Sequence, residues 1–318
     1  MTTASPAYVL PPVEADSINT STVPFGITDA MLTSSTVAET DYTAWNAATA
    51  YTAGDFAIRT TATTHAIYLR LISGTTATAP EDDATNWVRV SATNRWKMFD
   101  MLSASPTTGA SPLTVVLEPG RISGLAIIGA VADSVTITLV DGVDTVYSET
   151  VNLDQTIIEN WDDYFFAEFA QQANVVKLDL PTYIDGVLTV TFTGTGTLSV
   201  EKLIVGTATE VGVIQSGPRV RRRSFTTPER DDFGELTGIT RRKSIPLVSQ
   251  SLFIDKAMVR RARMALDLAK SCPCVFIGFD DDTDAYAELL TFVALCNDYE
   301  INLDHPETAV INTELEGI

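Results

Sequence analysis

The sequence predicts a mainly β, multidomain chain: a small β module, a larger β-sandwich or jelly roll, and a C-terminal β-rich domain that packs one α-helix. Three observations carry this expectation. Short β-branched runs recur between residues 95 and 206 with Gly-containing turns between them, as the strands of a sandwich do. The best helical signal is a single segment, 254–271, whose apolar residues recur at three- and four-residue spacings. Hydrophobic residues make up 45% of the 318-residue chain and charged residues 19%, a balance that buries a core. A chain this long suits about two domains of roughly 150 residues each, with no need of metal or disulfide staples.

Taken in order, residues 1–40 hold Pro6, Pro11, Pro12 and Pro24 and no sustained period. They read as an extended N-terminal arm, ordered where it docks. Its Tyr8, Val9, Leu10, Val13, Val23 and Phe25 suit the surface of this chain or that of another subunit. Residues 41–92 read as a small β module with alternating strands at 55–59 and 66–71, its thin core supplied by Trp45, Tyr51, Tyr68 and Trp87. Residues 93–214 read as the sandwich, with strands at 113–117, 124–128, 134–140, 144–151, 175–180, 187–192 and 197–205. Asp141-Gly142 is the turn pair of a hairpin inside that series. Residues 161–173 suit a short helix or an ordered crossover.

Residues 215–318 read as the C-terminal domain, suited to oligomerisation. Its helix, 254–271, opens near Asp255 and aligns Ile254, Met258, Ala262, Ala265, Leu266 and Ala269. Strands are expected at 219–225, 239–253, 274–279, 290–303 and 309–315.

Charge and cysteine content narrow the function. Asp and Glu outnumber Lys and Arg 41 to 21, for a net charge of −20. Phosphate binding needs an excess of Lys/Arg, so nucleic acid is not expected as a partner. The first residues lack the basic and apolar segments of a signal peptide. The longest strongly apolar run, 125–132, falls far short of the roughly 20 residues of a membrane helix, so no membrane insertion is expected. Three cysteines, Cys272, Cys274 and Cys296, form no framework and suggest synthesis in a reducing cytoplasm. The charge is also uneven. Residues 219–270 hold thirteen Lys/Arg against six Asp/Glu, whereas residues 271–318 hold eleven Asp/Glu and no Lys/Arg. Arg221, Arg223, Arg241 and Arg242 on one side, and Asp280, Asp282 and Asp284 on the other, are the candidate subunit-interface residues. If the two sets fall on opposite flanks, copies can meet positive to negative and close a homo-oligomeric ring; otherwise the two sets pair within one subunit.

Two segments carry resemblances. Trp45, Tyr51, Gly54-Asp55, Tyr68, Pro80 and Trp87, over about 45 residues, resemble the small chitin- and cellulose-binding modules of family 5/12. The resemblance implies their fold and a glycan contact through Tyr68 and Trp87. Those modules place adjacent aromatics after the strand Tyr, whereas here Leu69-Arg70-Leu71-Ile72 follows it, so the fold carries over better than the sugar binding. As residues, Trp45, Tyr51 and Trp87 read first as core. The second resemblance is to tail or baseplate proteins of tailed bacteriophages. It rests on Asn94-Arg95-Trp96-Lys97-Met98-Phe99-Asp100, which opens a discoidin-like sandwich there, and on Leu203-Ile204-Val205-Gly206, which closes it. It rests also on Asp232-Phe233-Gly234, Arg241-Arg242, Pro273-Cys274-Val275-Phe276-Ile277-Gly278 and the closing Glu314-Leu315-Glu316-Gly317-Ile318. It covers roughly 220 residues and implies a non-enzymatic virion component, made in the host cytoplasm, whose partners are other tail or baseplate proteins.

No chemical constellation competes with that reading. Asp280, Asp282 and Asp284 have the first spacings of a calcium loop, but Ala285 and Thr291 stand where its glycine and bidentate glutamate belong. Cys272-Pro273-Cys274 is half of a zinc site, with only His65 and His305 available to complete it. No nucleophile elbow or phosphate-binding Gly loop occurs, so no catalytic residue, metal or cofactor is expected. A glycan-degrading enzyme needs only two carboxylates and is the most distant alternative. Trp161 and Tyr164, flanking Asp162-Asp163, form the one aromatic-acidic cluster with the composition of a sugar site; a solvated loop is the plainer reading.

Overall fold

The structure is a computed structural model that describes residues 5–13, 26–100, 105–154, 161, 165, 172–215, 217–242, 244–278, 287–303 and 306–318. It is mainly β and divides into two units: Pro12–Thr207 forms one, and Met1–Pro11 with Ala208–Ile318 forms the other. Strand β1 (Pro6–Leu10) belongs to the second of these.

In the Pro12–Thr207 unit, β2 (Leu32–Ser35) precedes a three-stranded antiparallel sheet of β3 (Phe56–Thr61), β4 (Thr64–Arg70) and β5 (Trp87–Ala92). The third strand is not among those expected, although Val88-Arg89-Val90-Ser91 alternates in the sequence; in the structure Val88, Arg89 and Val90 are all exposed. Tyr51, Ala57, Ala66, Tyr68 and Trp87 close a small core with Trp45 against it.

The sandwich follows as β6 (Thr107–Ala110), β7 (Leu113–Leu117), β8 (Gly124–Ile128), β9 (Ser134–Asp141), β10 (Asp144–Asn152), β11 (Val175–Lys177), β12 (Gly186–Thr193), β13 (Thr197–Val200) and β14 (Lys202–Gly206). Five strands pair in the order β10-β9-β12-β7-β2, three in the order β11-β8-β14, and β13 pairs with β6. Leu113, Val115, Leu117, Ile137, Val190 and Phe192 on the larger sheet meet Leu125, Ile127, Leu203 and Val205 on the smaller one in a single core. Their strict alternation with half-exposed residues along β7, β9 and β12 is what sets the buried face. Gly142 takes the left-handed conformation, φ +61°, that the β9–β10 turn needs. The expected strand at 197–205 breaks at Glu201, and its halves join different sheets.

The second unit continues with β15 (Thr209–Ile214), β16 (Arg219–Ser224), β17 (Thr227–Arg230), β18 (Leu236–Thr240), β19 (Ser244–Asp255), helix α1 (Val259–Ser271), β20 (Cys274–Ile277), a helical turn Ala287–Leu290, β21 (Thr291–Asn302) and β22 (Thr308–Gly317). Its seven-stranded sheet runs β15-β1-β20-β21-β22-β19-β16, and β15 also pairs with β19, so the sheet curls back on itself. Gly212 permits that closure: its φ is +134°, and a Cβ there would lie 2.7 Å from the carbonyl oxygen of Phe253. Ala262, Ala265, Leu266 and Ala269 of α1 pack into the core with Val9, Leu252, Phe276 and Ile311.

Three boundaries differ from expectation. Part of the proposed arm is sheet: β1 is an interior strand, since Ala7 and Val9 alternate toward the helix core, and β2 pairs with β7. β15, expected within the sandwich, belongs to the C-terminal sheet. The helix starts at Val259 because Ile254 continues the inward alternation of Val248 and Leu252 along β19.

Candidate functional site

The small module corrects the expected glycan contacts. Trp87 is 2% exposed and Tyr68 5%, and both are core, so neither presents a ring face to a ligand. The reason is register: Tyr68 and Trp87 lie on the inner side of the three-stranded sheet, where Tyr51 meets Trp87 edge to face at 5.0 Å and Arg70 lies over the Trp87 ring at 5.0 Å. The outer side carries what sequence reasoning missed. Phe56 pairs with Leu69 and Leu69 with Val88, and Tyr42 stacks on Phe56 with centroids 4.9 Å apart and planes 19° from parallel. Tyr42, Phe56 and Val88 are all exposed. Alternation within β3 was the available signal for Phe56; Tyr42 lies outside any strand and gave none.

Trp161 and Phe165 are helical and exposed, their rings 6.4 Å apart and 24° from parallel. Tyr164, the other aromatic candidate of that cluster, lies outside the described residues, as do Asp280, Asp282 and Asp284.

The arginine candidates are placed on a projecting ribbon. β16 is the last strand of the C-terminal sheet and is exposed along its whole length. The chain continues into β17 and β18, which pair with each other alone, and returns past Arg241 and Arg242, also exposed, to β19. Arg223 lies over the Phe225 ring at 5.5 Å. Arg219, Arg221, Arg222, Arg241 and Arg242 form no ion pair among the described residues. Phe233 at the ribbon tip is 92% exposed, and Leu236 and Ile239 are exposed beside it. A two-stranded hairpin with no core of its own is marginal in water.

One polar cluster gathers around His65. Its Nδ1 lies 2.8 Å from Oε1 of Glu39, and the hydroxyl of Thr93 donates to the same oxygen at 2.7 Å. His65 Nε2 is 3.3 Å from Oδ1 of Asp29, within ion-pair range but outside hydrogen-bond alignment. Burial pushes the Glu39 carboxyl up, but the bonds from His65 and Thr93, with the charges of His65 and Arg95, outweigh it and hold Glu39 below its ordinary range. Through Glu39 the arrangement ties the segment before the small module to β4 and to Thr93.

All three cysteines are free and buried. The Cys274 thiol donates to the Cys272 carbonyl at 3.3 Å; the neighbouring Cys272 side chain and then burial push the Cys274 pKa up, and burial pushes Cys296 up to about 11. Among the described residues no group of His, Cys, Asp or Glu could hold a metal ion, and no helix is long and apolar enough to cross a membrane. Comparison with protein-family models finds no match, and comparison with curated proteins finds none either.

Proposed function

We propose that this protein is a non-enzymatic structural component of a bacteriophage tail, in the baseplate or tail tip. It would hold neighbouring tail proteins and copies of itself through the C-terminal unit. The observation that carries the reading is the ribbon from β16 to β19. It combines arginines that find no ion-pair partner among the described residues with exposed Phe233, Leu236 and Ile239. A charged edge with an apolar tip is the composition of a contact surface. The resemblances noted in the sequence supply the particle. A mass-spectrometric inventory of purified virions tests this: the protein should be present at a fixed copy number, and its absence would overturn the reading.

A second reading, contact with host-surface glycan, draws support from one feature. The stacked Tyr42–Phe56 pair, with Leu69 and Val88 beside it, offers an exposed aromatic and aliphatic platform. Sugar rings stack on such surfaces through their apolar faces. Screening the full chain against a glycan array, beside a Tyr42→Ala/Phe56→Ala variant, separates this reading from pure assembly. Binding that the variant loses supports it, and absence of binding removes it.

A further inference from the structure

The outward face of the C-terminal sheet is electrically divided. Residues paired across neighbouring strands point to the same side of a sheet, so the pairings assign each charge to a face. Val248 and Leu252 of β19 and Ile311 and Leu315 of β22 point into the helix-containing core. The alternate positions therefore point away from it. On β16 these are Arg219, Arg221 and Arg223, opposite Ser249, Leu247 and Ile245. On β22 they are Glu314 and Glu316, opposite the same Ser249 and Leu247, and on β21 Glu300 follows, opposite Asn312. Between the two rows runs β19, which holds no charged residue from Ser244 to Ile254. Neighbouring strands lie about 4.8 Å apart, so the arginine and carboxylate rows stand about 10 Å from each other.

The two rows do not neutralise each other within the subunit. Among the described residues Arg219, Arg221, Glu300 and Glu314 form no ion pair, and Glu316 accepts a hydrogen bond from Asn297 at 2.7 Å. Their spacings match, because alternate residues on any strand repeat at about 6.8 Å. Between the rows, half-buried Ile245 and Leu247 and exposed Ser249 line the outward side of β19; Phe253, also exposed, lies further along the strand beside β15.

We infer that this face docks on the same face of a second copy, about a two-fold axis that runs along β19. That rotation carries the arginine row of each copy onto the carboxylate row of the other, and it does so twice. A two-fold axis lying across the strands would set arginine on arginine. The β19 strands then meet, with Ile245 and Leu247 between the charged rows and the charges at the rim, the usual anatomy of a protein interface. Because both rows share one face, the contact is isologous and stops at two copies. The ring expected from the charge split is a different arrangement, whose acidic side, Asp280, Asp282 and Asp284, lies outside the described residues. The inference rests on the assembly reading only in taking this face as a contact surface.

Sedimentation of the full chain tests it. The expected species is a dimer at 0.1 M salt, with a dissociation constant about tenfold weaker at 1 M, as the Debye length falls from about 10 to 3 Å. Arg219→Glu/Arg221→Glu and Glu314→Arg/Glu316→Arg, the residues level with Ser249 and Leu247 on either side of β19, should each give folded monomers by near-ultraviolet circular dichroism. An equimolar mixture of the two should recover a one-to-one dimer, and the chain carrying all four changes should dimerise again. If reversal disturbs folding, Arg219→Gln/Arg221→Gln removes the charge gently and must still weaken the dimer. A monomer at both salts, an assembly larger than two, or an arginine variant that dimerises unchanged would overturn the inference. The virion inventory reads the other proposal separately: a dimer absent from particles removes the tail function alone, and a monomer present in particles removes the dimer alone.

Discussion

The imidazole of His65 lies flat against the indole of Trp96, centroids 4.2 Å apart and planes 17° from parallel. His65 belongs to β4 of the small module, whereas Trp96 packs with Phe99 at the entry to the sandwich core. With Glu39 and Thr93 the stack forms the joint by which the module is held on the sandwich within one unit.

That joint should be acid-labile. Glu39 is held below its ordinary value of 4.5 in the folded chain, so the stability it contributes is complete above that pH. It is lost as pH falls through the lowered folded value. Denaturation midpoints from pH 7 to pH 3 should therefore fall more steeply for the native sequence than for Glu39→Gln. Parallel slopes would show that Glu39 contributes nothing.

Tyr68→Ala should destabilise the small module by about 3–5 kcal/mol, the cost of emptying a core aromatic site. Glycan affinity, if the full chain has any, should not change in a variant that stays folded. Thermal unfolding beside a binding assay checks both halves.

Lys202 and Asp100 form a buried pair in the sandwich, Nζ to Oδ1 3.0 Å, with side chains 3% and 4% exposed. Lys202→Met strands the carboxylate and should cost about 3–5 kcal/mol, whereas Lys202→Met/Asp100→Leu should recover much of that loss. Urea titration of the three variants reads the difference.

Phe233→Ser/Ile239→Ser should leave the melting temperature of the isolated protein nearly unchanged, since exposed positions away from the core shift stability by within about 0.5 kcal/mol. The same variant should enter virions poorly. Normal incorporation would show that the ribbon tip is not a contact.

Much of the fold was legible because it is local. Residues 113–117 and 124–128 are observed with the expected bounds, their β-branched runs lying between clear turns. Period fails where two patterns overlap. Ile254 and Met258 are four apart, as on a helix, yet Ile254 also stands two after Leu252, as on a strand, and the ladder with β22 decides for the strand. The site was less legible because burial and facing are set by pairing partners far along the chain. Tyr68 suits a glycan contact until strand pairing turns it into the core that holds Tyr51 and Trp87. Glu300, Glu314 and Glu316 look like three of many acids until β22 brings two of them beside β19.

The placement of β1 has a consequence for the order of events on the ribosome. Its neighbours, β15 and β20, are encoded on the far side of the whole sandwich. At about 5–20 residues per second, β1 waits tens of seconds for them while its apolar side chains stay uncovered. The sandwich can complete itself during that wait. Its folding draws Pro12 beside Gly206, which pair directly, and so shortens the long loop that β1 must close to a few residues of slack. In this chain, folding of the middle lowers the cost of bringing the two outer segments together.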